Sequence, residues 1–321
     1  MTGLALLPVD PATTREVTAS AGRGGVRRVA RVTGMVLAGV VVVVALLLVI
    51  HPGTLSPTGP TESTDAILAG PSWAHWFGTD QLGRDLWARV VWGARPVLVA
   101  SLLGVLAATL AGVTLGIVGG AGPRVLSAVV LRIVDVLLAL PVLMIALMII
   151  AIVGAGVWSI VIAVGIAFTP GYARVVATSV RRLRSAEYVE AAHMFGESGP
   201  RVAARHLLPN LATEIVVLIT SGIGWAVLTS TTLSFLGLGV RLPAPDWGTD
   251  LSAGATYIST AWWLSTFPGA AITVTIIAAN FLGDAIAEAL DPRGDRQLRG
   301  ALRDLGRLRP RRRPRTEQAQ T

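Results

Sequence analysis

The sequence predicts an all-α integral membrane protein with six transmembrane helices and both termini on the cytoplasmic side. Three observations carry that prediction. Of 321 residues, 53% are hydrophobic and only 14% are charged, whereas soluble domains carry about 25% charged residues. Charge-free runs recur near the length of about 20 residues that a helix needs to cross a hydrocarbon core. The arginines gather in segments that alternating crossings would place on one face, and basic short loops stay cytoplasmic.

The elements follow in chain order. Residues 1–32 form a polar cytoplasmic tail with Arg15, Arg23, Arg27, Arg28 and Arg31. Thr33–Ile50 is the first span. No small-x-small cleavage site follows "LLLVIHPG", so it is expected to be retained rather than removed as a signal peptide. Residues 51–95 form an outer segment. Its end, "QLGRDLWARVVWGAR", repeats apolar residues at Leu82, Leu86 and Val90, with Trp87 and Val91 alongside. That pattern suits an amphipathic helix lying along the interface. Asp85 and Arg89 are spaced i, i+4 on its other side and are expected to pair.

Residues 96–288 hold the remaining five spans. Pro96–Pro123 is the second. Val136–Ala173 is too long for one crossing and is interrupted by "GAG" at Gly154–Gly156, so it supplies the third and fourth. Ile215–Val240 and Ala261–Gly283 are the fifth and sixth. A basic cytoplasmic tail, residues 289–321, carries ten arginines from Arg293 onward. It reads as solvated, and each basic residue near an anionic surface would add about 1 kcal/mol of attraction.

Charge and aromatic placement fit this order. Arg174, Arg181, Arg182, Arg184, Arg201 and Arg205 fall with the two tails on the cytoplasmic face, against Arg84, Arg89, Arg95 and Arg241 outside. The net charge of +8 thus reflects orientation rather than a nucleic-acid partner. Eight of the nine tryptophans map on or near the outer face and Trp225 lies mid-span. Two readings stay open for them, a lopsided interfacial belt or an aromatic platform for an external partner.

Absences exclude function classes. With no cysteine there is neither a disulfide framework nor a thiolate metal site. With no lysine there is no Walker A loop and no Schiff-base chemistry. His51, His75, His193 and His206 show no metal-ligand spacing. No catalytic, cofactor-binding or metal site is expected.

Within the spans, Arg132 and Asp135 at the start of the third are expected to pair near the interface, and Asp284 and Glu288 at the exit of the sixth to be solvated. Glu214 begins the fifth span and could lock the junction below it. Gly104, Gly112, Gly116, Gly119, Gly120, Gly222 and Gly224 suit close helix packing. Gly222, Gly224 and Trp225 could also line a path.

One stretch stands apart: "EYVEAAHMFGESGPRVAARHLLPN", residues 187–210. Ser185 suits an N-cap and Glu187 complements the helix dipole. Gly196 suits a left-handed C-terminal cap. Ser198 or Gly199 caps a second helix with Pro200 at its start, and Pro209 either stops that helix or marks the return into the membrane. Ala191 and Ala192 are small enough to let the first helix approach another surface closely. On spacing alone, an ordinary loop folded over the helix ends is an equal reading.

The pattern Glu190-Ala191-Ala192, three residues, Gly196, nine residues, then "HLLP" at 206–209 resembles the EAA loop of binding-protein-dependent ABC transporter permeases. It matches EAA-x3-G-x9-I-x-L-P except that His206 replaces isoleucine, and an arginine-histidine pair there is similar to the peptide branch. "HWFGTDQLGRD", "LSFLGLGVRLPAPDWG" and "FPGAAITVTIIAANFLGDAIAEALDPR" resemble the second (C-type) permease subunit of dipeptide, oligopeptide and nickel importers, over roughly residues 33–293.

The resemblance implies a type I ABC importer permease fold and a bacterial cell-membrane location. It implies half of a translocation path for di- or oligopeptides, completed by a homologous second permease. Two ATP-binding subunits would sit on the cytoplasmic side and bind all the ATP, and a substrate-binding protein would dock outside. Glu187, Glu190, Ala191, Ala192, Gly196, His206, Leu208 and Pro209 would couple to the ATPase. Gly78, Thr79, Asp80, Gly83, Arg84, Asp85, Trp247 and Gly248 carry the outer signature. Nickel, haem or another small solute is the alternative cargo. A stand-alone secondary transporter would need an ionisable residue near the midplane, and no mid-span acid is present; a scaffold would leave the outer signatures unexplained.

Overall fold

The structure, a computed structural model, describes residues 39, 40, 43, 44 and 47–290. The expectations for the N-terminal tail, for much of the first span and for the basic C-terminal tail lie outside the described residues. Among the described residues there is no β-strand, only isolated bridges between Ser63 and Arg84 and between Thr79 and Asp85. After a one-turn helix at Pro52–Leu55, the helices are α1 (Leu86–Ala121), α2 (Arg124–Leu138), α3 (Val142–Val153), α4 (Val157–Arg184), α5 (Glu187–Met194), α6 (Gly199–Val202), α7 (Leu208–Phe235), α8 (Trp247–Ala255) and α9 (Trp263–Leu290). Among the described residues, four stretches are long and apolar enough to cross a membrane: α1, α4, the run through α6 and α7, and α9. The pair α2 and α3, bent by 96°, makes a fifth.

Two boundaries differ from the sequence reading. The second span does not begin at Pro96. Leu86–Ala121 is one helix of 36 residues with Pro96 inside it, so no separate interfacial helix precedes it. Leu86, Val90, Ala94 and Val97 are all buried, so one apolar face continues across the proline, and neighbouring helices make a membrane-helix proline tolerable. The third span begins earlier than Val136, at Arg124, and breaks at residues 139–141. Pro141 has no N–H to continue α2 and favours a fresh start as the N-cap of α3. The break at Gly154–Gly156 is present, with both glycines at positive φ.

The core is built on contact between α1 and α4. Along α1, a Cβ at Gly104, Gly112, Gly116 or Gly120 would lie 2.8, 2.5, 2.6 or 2.6 Å from Val164, Tyr172, Val176 or Val180. The stripe lets two backbones approach where lipid gives no hydrophobic drive to pack. Ile145, Ala146 and Ile150 of α3 and Ala226 and Leu233 of α7 close the same core. At one end Val176 and Val180 meet Val189, Val202 and Leu207 of the 187–210 island. At the opposite end Leu86 and Val90 meet Ala261, Trp263 and Leu264.

Candidate functional site

The island is a helix, a turn and a helix that runs on into a span. The cap of α5 is not Ser185, whose hydroxyl turns back to donate to the Arg182 carbonyl at 2.9 Å. The Ala186 carbonyl accepts the first helical bond from Glu190 N at 3.2 Å instead. At the other end Gly196 has φ +80°. Glu197 N donates to the Ala192 carbonyl at 3.1 Å, which is the bonding of a Schellman cap and needs a left-handed residue. The turn therefore depends on glycine.

Pro209 does not stop the second helix. Residues 203–207 form a π-turn that joins α6 to α7, and Leu208 N reaches the Ala203 carbonyl across it. The wider turn sits where a proline would otherwise remove a hydrogen bond and crowd the carbonyl four residues back. His206 lies in it and holds Glu197 at 3.1 Å from its Nε2, which ties the glycine turn to the π-turn. Arg182 donates to Glu214 at 3.1 Å, bridging the end of α4 to the start of α7.

The small residues of α5 face inward as well as outward. Val189 is fully buried and Ala192 nearly so, packed with Val176, Val180, Val202, Leu207 and Leu211. The closest approach that Ala192 permits is thus to the chain's own spans. What faces away is different: Met194 is 83% and Phe195 89% exposed, with Tyr188, Glu187 and Glu190 also exposed. Leu208 and Pro209 are exposed on the neighbouring turn. Sequence reasoning weighed the alanines and passed over Phe195. The available signal was a large aromatic beside a helix-ending glycine in a polar stretch.

At the opposite end the outer-signature residues form one closed knot. Asp80 accepts from Leu82 N, Arg84 N and Arg84 Nε at 2.8, 2.9 and 2.6 Å. Thr79 donates to the Ala66 carbonyl and accepts from Ala69 N, and its own carbonyl accepts from Trp263 Nε1 at 3.2 Å. Gly83 takes φ +69° with the Thr64 carbonyl only 2.0 Å from where a Cβ would stand. Gly78 is also at positive φ. Trp247 is buried and donates from Nε1 to the Val90 carbonyl at 2.7 Å. Beside it, a Cβ on Gly248 would lie 2.2 Å from the Thr231 carbonyl. Trp247 and Trp263 therefore belong to neither a belt nor a platform, whereas Trp73, Trp76 and Trp262 are exposed.

The expected Asp85–Arg89 pair does not form. Asp85 caps α1 through Trp87 N and Ala88 N and takes His75 Nδ1 at 2.9 Å. Arg89 is 1% exposed and donates from Nε to Asp250 at 2.9 Å, with further bonds to the Pro60 and Pro243 carbonyls. An N-cap partner satisfies Asp85 locally, which leaves the buried guanidinium to gather three distant segments. Burial pushes the Asp250 carboxyl up to about 6 against the pull of Arg89. Burial also raises Asp246, against N-cap bonds from Thr249 and Gly248. The Arg132–Asp135 pair is likewise replaced, because Asp135 meets Arg174 of α4 at 3.0 Å.

Between the two ends, α2, α3, α4 and α7 enclose a cavity of about 480 Å³. Gly222 and Trp225 line it beside Tyr172, Ser221, Phe168 and Thr229. Tyr172 Oη donates to the Leu218 carbonyl at 2.9 Å. Gly222 and Gly224 also sit tight against Tyr172 and Asn280, so close packing accounts for both glycines, while Trp225 is 65% exposed.

Among the described residues the chain is a bundle of helices long and apolar enough to cross a membrane, with an exposed island at one end. The chain belongs to the family of binding-protein-dependent transport system inner membrane components, whose sequence profile matches residues 112–296. It is 36% identical to the dipeptide transport system permease protein DppC of Alkalihalophilus pseudofirmus, over 81% of this chain and 86% of that one. It is 38% identical to the glutathione transport system permease protein GsiD of Pectobacterium atrosepticum, over 71% of this chain and 76% of that one. The di/tripeptide permease DppC of Pseudomonas aeruginosa is 37% identical, over 74% and 81%. An inward-facing structure of the MetNI methionine ABC transporter shares the fold with TM-score 0.53 at 18% identity, covering 64% of this chain and 98% of that one. The fold is that of a type I ABC importer permease, and the chain is a multi-pass membrane protein and a permease subunit of such an importer.

Proposed function

We propose that this chain is the peptide-importing half of an ATP-driven permease pair, with the 187–210 island as its contact with an ATP-binding subunit. One observation carries the reading: a helix anchored inward by Val189 and Ala192 presents Met194 and Phe195 almost fully exposed. Aromatic residues and methionine are enriched at protein interfaces relative to the rest of the surface. The island end then faces the cytoplasm and the knot of Asp80, Arg84, Arg89 and Asp250 faces outward, where a substrate-binding protein docks. Both termini are cytoplasmic. A homologous second permease completes the path along the Gly222–Trp225 cavity. The chain binds no cofactor of its own, and ATP acts on it only through contact.

Mechanically, closing of paired ATP-binding subunits would push α5. The π-turn and the continuous helix from residue 199 to 235 join the island to the wall of the cavity without a flexible linker. The permease is a two-state element biased from both faces, as coupling requires. Dipeptides and short oligopeptides are the proposed cargo, on the strength of the relatives' names. The lining is apolar with scattered hydroxyls, which suits a path that holds its cargo weakly. Co-purification from native membranes tests the motor contact. Wild type should bring down a second permease and ATP-binding subunits, and Phe195→Asp should retain the permease and lose the ATP-binding subunits. Retention of both by Phe195→Asp would refute it.

A further inference from the structure

Where α1 and α4 end and α2 begins, the chain leaves a cavity of about 770 Å³ lined by Gly120, Arg124, Ser127, Arg181, Arg184 and Ser185. No acidic side chain lines it. Among the described residues its three arginines have no ion-pair partner, whereas the neighbouring Arg174 and Arg182 are paired with Asp135 and Glu214. The close approach at Gly120, where a Cβ would lie 2.6 Å from Val180, brings the arginines of α4 beside Arg124. A second, independent feature points the same way. Helix α2 starts from Pro123 with no side-chain cap, so the N–H groups of its first turn lack intrahelical acceptors. Such a terminus favours an anion.

We propose that this cavity binds the phosphate of an anionic phospholipid. Arginine forks suit phosphate oxygens bidentately, and three of them with a helix N-terminus outweigh one phosphate charge. The place also fits. α1 and α4 are membrane-spanning helices, so their ends at Ala121 and Arg184 lie at a bilayer boundary. Val125, Leu126 and Val129 on the adjoining face of α2 are exposed, an apolar ridge that acyl chains would cover and an aqueous partner would not. Met194 and Phe195, the exposed tip of the island, are not among the lining residues, although Arg184 also lines a neighbouring pocket with Val189 and Pro200 of the island.

The test uses the full chain in its assembled complex, in nanodiscs of phosphatidylcholine with graded phosphatidylglycerol, and native mass spectrometry of the lipid retained after extraction. Replacing Arg124, Arg181 and Arg184 together by glutamine should weaken phosphatidylglycerol retention on the order of 100-fold, taking roughly a fivefold factor for each basic residue. Arg201→Gln with Arg205→Gln, a loss of two charges elsewhere on that face, should leave retention unchanged. Should the triple variant not fold, each single Arg→Gln change should weaken retention roughly fivefold. Equal retention by wild type and variants would overturn the proposal. So would an equal loss in the control, or displacement of the lipid by millimolar inorganic phosphate, which would mark a free-anion site. Lipid retained while ATP-binding subunits dissociate would instead assign the arginines to a protein contact.

Discussion

The two ends of this molecule handle their polar and aromatic groups in opposite ways. At the knot, Arg89, Asp80, Arg84 and Asp250 are buried and bonded to one another or to backbone, and Trp247 and Trp263 donate inward to carbonyls. At the island, Glu187, Tyr188, Glu190 and Met194 face away, with Phe195 at 89% exposure. A removed partner of a buried charge is costly because the remaining charge has nowhere to go. An exposed aromatic leaves the isolated fold almost indifferent to its identity. One end is therefore complete within the chain, and the other, on the proposed function, is complete only in an assembly.

Four substitutions would break or sharpen that contrast, in order of expected effect on stability. Arg89→Ala strips the buried carboxylates of Asp250 and Asp80 of their shared cation, and should cost about 3–5 kcal/mol, read as a large fall in Tm of the detergent-solubilised chain. Gly83→Ala forces an L side chain into positive φ against the Thr64 carbonyl and should cost about 1–3 kcal/mol. Asp250→Asn tests the charge separately. Its carboxyl titrates near 6 in the fold against an ordinary 3.8, so between those values the folded chain holds a proton that the unfolded chain lacks. Stability from this group thus rises as pH falls through 6 and levels off below the ordinary value. Asp250→Asn should flatten that slope in a Tm-versus-pH series, and a slope unchanged in the variant would assign it to another group. Phe195→Asp should leave stability within about 0.5 kcal/mol of wild type while abolishing peptide uptake in whole cells.

The contrast was legible in the sequence at one end only. The island's glycine turn could be read because a left-handed cap needs nothing beyond a helix end and a glycine. Its EAA spacing could be read because it is local. The spans could be read as charge-free runs. The role of Arg89 could not, because its partner Asp250 lies 161 residues away and a nearer acid, Asp85, offered a reasonable pair. The same cause misassigned Asp135, whose partner Arg174 is on another helix. The bend at residues 139–141 was hidden because a lone proline in an apolar run does not reveal whether neighbouring helices will absorb it, as happens at Pro96, or break there, as happens at Pro141. Phe195 was hidden for a different reason: exposure is a property of packing, which local sequence does not specify.

The chain contains no cysteine, so a single Phe195→Cys residue reports on the island without background. The most direct measurement is its rate of labelling by a membrane-impermeant maleimide in inside-out vesicles, with and without the ATP-binding subunits, and with Trp73→Cys as the reference at the knot end. The account predicts that Phe195→Cys labels rapidly alone, is strongly protected when the subunits are present, and that Trp73→Cys resists labelling in both states because it faces the vesicle lumen. Labelling of Phe195→Cys at the same rate with and without the subunits would contradict the claim that the island is where this chain meets its motor.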